Sequence, residues 1–221
     1  MINENKMYIE PIISLFMVED STIKVLLTRK EDEPYKGYWM LPRDFVTKEE
    51  SINDSVIRIL NENIGFSDIY LSEVNALSKV DRVIDNRVVG ISYLGVTDPV
   101  TVSLKFKYKE NAEYQWFPID NLPKLAFDHS EVIENSVKRL QITVTTPVVL
   151  KSMYPSDFTL PELQKMFENL LNITLDRRNF RKRLITLDWI EETGDKSEKR
   201  YGRPSKIYYF KENMKEKSFF K

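Results

Sequence analysis

Two units are predicted from the sequence: a mixed α/β domain, and a smaller domain ordered helix, helix, strand, basic loop, strand. Three observations carry this reading. Apolar, β-rich runs and a helical segment alternate over the first part of the chain. The segment Ile142 to Pro155 (ITVTTPVVLKSMYP) is rich in Thr and Pro, lacks helical periodicity and reads as a link. Charge is also divided. From Asp176 onward there are 14 Lys/Arg and 8 Asp/Glu of the chain's 33 and 34, about +6, which leaves about −7 on the rest. The expected boundaries are residues 1–142, a linker at 143–157 and a second domain at 158–221.

Each element follows from its pattern. Tyr8 to Val18 is nearly continuous in apolar character, as a buried strand should be. Thr22 to Thr28 is a second strand, and Glu19-Asp20-Ser21 between them reads as a hairpin turn. Ser51 to Asn63 spaces Ile52, Val56, Ile59 and Leu60 helically, and Gly65 stops it. Tyr70 to Lys79, Val88 to Val96 and Glu113 to Pro118 read as further strands, and Asp128 or Ser130 caps a helix to about Gln141. Thr159-Leu160-Pro161-Glu162 is a capping box that opens a helix burying Leu160, Leu163, Phe167, Leu170 and Leu171. Asp176 caps a second helix, Arg177 to Leu187. Strands at Trp189 to Glu192 and Lys206 to Phe210 flank a basic loop, Gly194 to Ser205, which is the order of a winged helix-turn-helix.

Composition excludes several classes. At 42% hydrophobic and 30% charged the chain is ordinary globular material. With no cysteine, disulfides and thiolate metal sites are ruled out. No export signal or run of roughly 20 apolar residues is present, so a cytoplasmic protein with no membrane partner is expected.

The segment Gly37 to Phe66 (GYWMLPRDFVTKEESINDSVIRILNENIGF) resembles the Nudix box, a glycine, five residues, Glu, seven residues, Arg-Glu, an aliphatic, any residue, Glu-Glu, any residue, Gly and an aliphatic. Glu50, Arg58, Leu60, Glu62 and Gly65 take box positions, while Ile59 and Asn63 stand where the family has two acids. The usual Pro-Gly-Gly before the box is Pro42-Arg43-Asp44. The resemblance implies a Nudix-like α/β/α sandwich with a mixed sheet. In the family three acids on one helical face hold the divalent metal that activates water on a diphosphate, a task that needs anionic oxygens. Ile59 cannot ligate and Asn63 offers a neutral oxygen. The expectation is a domain that keeps the shape without hydrolysis, has no metal site, cofactor or catalytic residue, and keeps Glu50 with Arg58 as a structural ion pair. The alternative is a Nudix-type nucleoside diphosphate hydrolase that recruits Glu73, Asp81 or Glu113 to an atypical metal site.

A retained cleft implies a small-molecule effector. Asp81-Arg82 and Arg87-Val88-Val89 resemble the segment that ADP-ribose-type Nudix domains carry between two strands, and guanidinium suits phosphate or carboxylate. Tyr38 and Trp39 are candidates to stack on a base or sugar, and Arg43 to fill the old diphosphate space. The plainer reading is that these arginines pair with local acids and that Trp39 is core. The sole histidine, His129, is expected at a helix entry or in packing.

On the helix from Arg177, Phe180, Leu184 and Leu187 recur at i, i+4, i+7 and face inward. Arg177, Arg178, Asn179, Arg181, Lys182 and Arg183 fan over the other faces, the layout of a recognition helix. The wing adds Lys196, Lys199, Arg200, Arg203 and Lys206, and Gly202-Arg203-Pro204 is a turn suited to a minor groove or phosphate. Both halves together are similar to the Nudix-related transcriptional regulators, with LAFDH, RRNFRK and GRP the most telling pieces. That resemblance implies a homodimer on a double-stranded DNA operator, controlled by an effector that is ADP-ribose-like in some members and a simple sugar in others.

Overall fold

The computed structural model describes residues 6–84, 86–154, 157–196, 205–215, 217 and 219. Strand β1 (Met7–Glu19) turns back at Asp20 and Ser21, both at positive φ, into β2 (Thr22–Arg29). Then come β3 (Trp39–Met40), α1 (Ile52–Ile64), β4 (Tyr70–Leu77), β5 (Arg87–Val96), α2 (Pro99–Lys105), β6 (Tyr114–Pro118) and α3 (His129–Thr143). The sheet order is β3-β2-β1-β5-β4, with β6 also paired to β2. β1 and β5 run parallel and the other pairs antiparallel, so the sheet is mixed.

Alternation along β1 decides which helix covers which face. Ile13 and Leu15 point to the side of α1, packing with Val56, Ile59, Leu60 and Ile64. Ile12 and Phe16 point to the other side, where Val132, Ile133 and Leu140 of α3 lie. The result is the expected three-layer sandwich. Helix α1 has a capping box, Ser51 with Asp54, and ends at Gly65 with φ 66°. A Cβ at Gly65 would sit 3.0 Å from Lys107 Cβ, so both conformation and space call for glycine. Helix α2, not anticipated, is held by Asp98, whose carboxylate accepts from Val100 N (2.9 Å) and Thr101 N (3.0 Å).

The stretch read as a non-helical link is a correction. It contains α4 (Pro147–Met153), which starts at a proline and buries Val149, Leu150 and Met153. Helix periodicity was hidden there because seven residues give less than two full repeats. The second unit follows with β7 (Phe158–Thr159), α5 (Leu160–Leu171), α6 (Arg177–Leu187), β8 (Ile190–Lys196) and β9 (Lys206–Phe210), in a small sheet ordered β7-β9-β8. Thr159 and Glu162 form the anticipated capping box, and Asp176 caps α6 through Asn179 N at 2.8 Å.

One apolar core runs from the α3 face of the first sheet through α4 into α5, α6 and Trp189. Polar contacts stitch the same joint. Asn169 Nδ2 donates to Ser21 O (2.8 Å), Ser21 Oγ to Glu162 O (3.1 Å) and Gln141 Nε2 to Leu170 O (2.8 Å). No helix among the described residues is long and apolar enough to cross a membrane.

Candidate functional site

The Nudix-box residues lie on α1 and the loop before it. Arg58 donates to both Glu50 oxygens, Nε to Oε2 at 3.0 Å and Nη2 to Oε1 at 2.9 Å. It also reaches Asp44 (2.7 Å), Glu62 (3.3 Å) and the Phe45 carbonyl (3.0 Å). This fork ties the loop to the helix. The Arg58 hydrogen bond, then the Thr47 backbone N–H, hold the Glu50 carboxyl down to about 2. Ile59 is fully buried in the core under the sheet. Asn63 is engaged twice, its Nδ2 donating to Ile59 O (2.7 Å) and its Oδ1 accepting from Tyr114 (2.8 Å). Among the described residues no group of three or more His, Asp or Glu is placed to hold a metal ion.

A cleft of about 490 Å³ opens beside this helix, lined among others by Glu10, Met40, Arg43, Phe45, Glu62 and Tyr114. Of the five candidate effector contacts, Arg43 alone lines it. Arg43 pairs with Glu10 and lies 4.3 Å from the centroid of Phe127. Burial, and then the neighbouring Arg82, lower its guanidinium to about 10. Arg82 is sealed off, its side chain 1% exposed. It forks onto both Asp128 oxygens at 2.8 Å and reaches Glu10 at 3.0 Å. Arg87 donates to the carbonyls of Ser78 (3.1 Å) and Lys79 (3.2 Å). Trp39 stands edge-on to Phe117 at 4.8 Å and packs on the core, while Tyr38 is partly exposed beside Tyr35 at 5.8 Å. The plainer reading therefore fits Arg82 and Trp39, while Arg87 is held by backbone carbonyls instead of an acid. The acids suggested for an atypical metal site, Glu73, Asp81 and Glu113, do not line this cleft, and Glu113 pairs with Arg29 at 3.0 Å.

Sequence reasoning missed Glu10 and Gly90. Glu10 is a charge in an apolar strand, and its 1% exposure makes it the centre of the cluster with Arg43 and Arg82. A Cβ on Gly90 would come within 3.0 Å of Arg82 Cζ, so the glycine makes room for the guanidinium. An isolated glycine in a strand pattern was the available signal. His129 begins α3, fully buried, and its Nδ1 accepts from Leu41 N at 2.9 Å. Burial, then Arg43 and Arg82, push its pKa well down, so it stays neutral.

The basic helix behaves differently. Phe180, Leu184 and Leu187 are buried, and Arg177, Arg178, Asn179, Arg181 and Lys182 are exposed. Among the described residues, the side chains of Arg177, Arg178, Arg181 and Lys182 have no hydrogen-bond or ion-pair partner. Arg183 departs from the expected fan. It is half-buried, and its Nε donates to the Phe219 carbonyl at 2.8 Å. Lys206 pairs with Glu192 at 2.8 Å across the small sheet. Lys199, Arg200 and Arg203 lie outside the described residues, as does Gly202-Arg203-Pro204.

Comparison with known proteins follows the same division. The NUDIX domain model matches residues 10–136, and the NrtR DNA-binding winged helix domain model matches residues 152–210. The chain is 29% identical over 202 residues to the ADPR responsive transcriptional repressor NtrR of Acinetobacter baylyi, covering 90% of this chain and 80% of that one. It is 30% identical over 133 residues to the ADP-ribose pyrophosphatase of Methanocaldococcus jannaschii, covering 60% and 77%. The crystal structure of Shewanella oneidensis NrtR complexed with a 27mer DNA superposes with a TM-score of 0.76 at 27% identity, over 92% of this chain and 93% of that one.

Proposed function

The chain belongs to the NUDIX domain family and carries an NrtR-type winged helix after that domain, and from this premise we propose that it is a sequence-specific DNA-binding transcriptional regulator controlled by a small molecule. The observation that carries the reading is the exposed row Arg177, Arg178, Arg181 and Lys182 on α6, unpaired among the described residues. Unpaired cations on a helix held by a small core are what phosphate contacts and groove entry need. The Shewanella relative is seen on DNA and the Acinetobacter relative is ADP-ribose-responsive.

The effector site is the 490 Å³ cleft beside α1, within the size range of small-molecule pockets. ADP-ribose is the first ligand to try, with a simple sugar second. Arg43 and Phe45 are the contacts to test, whereas Arg82 and Arg87 act through the scaffold. The domain binds without hydrolysing: Ile59 is turned into the core and the amide of Asn63 is spent on Ile59 and Tyr114. The regulator works as a homodimer, its two recognition helices spaced to half-sites about one DNA turn apart. Residues 1–142 form the sensing domain and 158–221 the DNA-binding domain. They are joined by a packed helical segment.

Fluorescence anisotropy against promoter DNA next to its own gene tests this, at two salt concentrations, with and without ADP-ribose and a panel of pentoses and hexoses. Sequence-specific binding shifted by one compound is the expected result. Sequence-blind binding unmoved by every compound overturns it. One comparison favours a second reading, diphosphate hydrolysis, because of the pyrophosphatase match over the first domain. Metal-dependent release of AMP from ADP-ribose would establish that reading instead.

A further inference from the structure

The segment after β9 lies beyond the 152–210 span of the winged-helix match, yet it returns to the core. Phe219 is 4% exposed. Its ring stacks on Phe167 of α5 at 5.1 Å and lies 5.3 Å from Phe180 of α6 and 6.2 Å from Trp189. Its backbone is held at both ends. The Phe219 N–H donates to Thr145 O (3.0 Å), in the turn between α3 and α4, and its carbonyl accepts from Arg183 Nε on α6 (2.8 Å). A second tie anchors the same segment, Trp189 Nε1 donating to Lys215 O at 3.2 Å. One residue thus touches the end of the first domain and the inner face of the basic helix.

The other end of α3 is tied to the cleft wall through side chains. Its N-cap, Asp128, holds Arg82, which holds Glu10, which holds Arg43 in the cleft wall. The chain of contacts from cleft to basic helix therefore runs Arg43, Glu10, Arg82, Asp128, α3, Thr145, Phe219, Arg183.

We propose that Phe219 is a positioning residue that fixes α6 against the end of α3, with Arg183 serving as its clamp and not as a phosphate contact. This rests on the DNA-binding reading above. A side chain that merely fills space would need no paired backbone ties to two different elements. Here the ring sets the depth of α6 and the two hydrogen bonds set its registry with the first domain.

The test uses the full chain in anisotropy titrations against its promoter duplex over a salt series, with ADP-ribose as the added probe. Phe219→Ala weakens DNA binding about tenfold, with the slope of log affinity against log salt unchanged. Arg183→Ala acts in the same direction and also leaves the slope unchanged. Arg181→Ala, by contrast, lowers the slope by about 1, as loss of one phosphate contact should. Phe219→Leu recovers most of the affinity, because the apolar plug and both backbone bonds remain. If Phe219→Ala is unfolded at the titration temperature, Phe219→Leu and Arg183→Ala decide the matter by the same slopes. Wild-type affinity and wild-type probe response in both Phe219→Ala and Arg183→Ala would overturn the proposal alone. A slope reduced by about 1 in Arg183→Ala would also overturn it. If the wild-type chain shows no sequence preference at any salt, the DNA-binding reading falls and takes this proposal with it.

Discussion

The arginines of the cleft region and those of α6 have opposite surroundings. Arg43, Arg58, Arg82 and Arg87 are each bonded to acids or carbonyls, and Arg82 is buried. Arg177, Arg178 and Arg181 stand in solvent with no partner among the described residues. The same side chain is structural in one place and available in the other. What differs is the supply of anions. The chain before Asp176 carries an excess of about seven acids and the chain from Asp176 onward an excess of about six bases. Buried guanidinium is tolerated only when every charge is met, whereas an exposed one keeps its hydration until a polyanion displaces ions from it.

Four measurements would break or sharpen that contrast. Arg82→Ala should have the largest effect, a loss of about 3–5 kcal/mol in chemical denaturation, because Asp128 loses its partner and buried Glu10 keeps only Arg43. If it costs less than about 1 kcal/mol, on the scale of a surface pair, the cluster is not the keystone described. Gly90→Ala should cost about 1–3 kcal/mol, since a methyl meets the pinned Arg82 side chain. The same substitution in an Arg82→Ala background should cost much less, and a double-mutant cycle reads the difference.

Arg181→Glu should leave stability within about 0.5 kcal/mol while weakening promoter binding at least about tenfold, equivalent to about 1.4 kcal/mol. A large loss of stability with no loss of DNA affinity would reverse the comparison. The subtlest effect is in the acid limb of stability. Glu50 has its carboxyl lowered from about 4.5 to about 2 by Arg58 and the Thr47 N–H. A depressed carboxyl stabilises the fold above its unfolded pKa, and that contribution is lost as pH falls through the folded value. Melting curves of Glu50→Gln should therefore lose part of the pH dependence between about pH 4.5 and 2 shown by the wild-type chain. Superimposable curves would show that Glu50 contributes no such linkage.

The elements with strong local signals were legible. The Thr159 capping box, the Gly65 stop and the apolar spacing of α6 are all local rules, and they fold as written. Helix α4 was not legible, because a seven-residue helix opening on Pro147 offers too few turns to display a period. Arg183 illustrates the limit for the site. By sequence it belongs to the same basic run as Arg181 and Lys182, and only the return of Phe219 to the core gives it a carbonyl to hold.

The sequence by itself determined the two-unit order, the main strands and helices of each unit, the charge division and the box positions occupied by Ile59 and Asn63. Those are set by periodicity, capping and side-chain chemistry, all of which act within a few residues. Tertiary structure alone decided which arginine is spent and which is available, because pairing joins Glu10 to Arg82 and Arg183 to Phe219 across distances that no local pattern encodes.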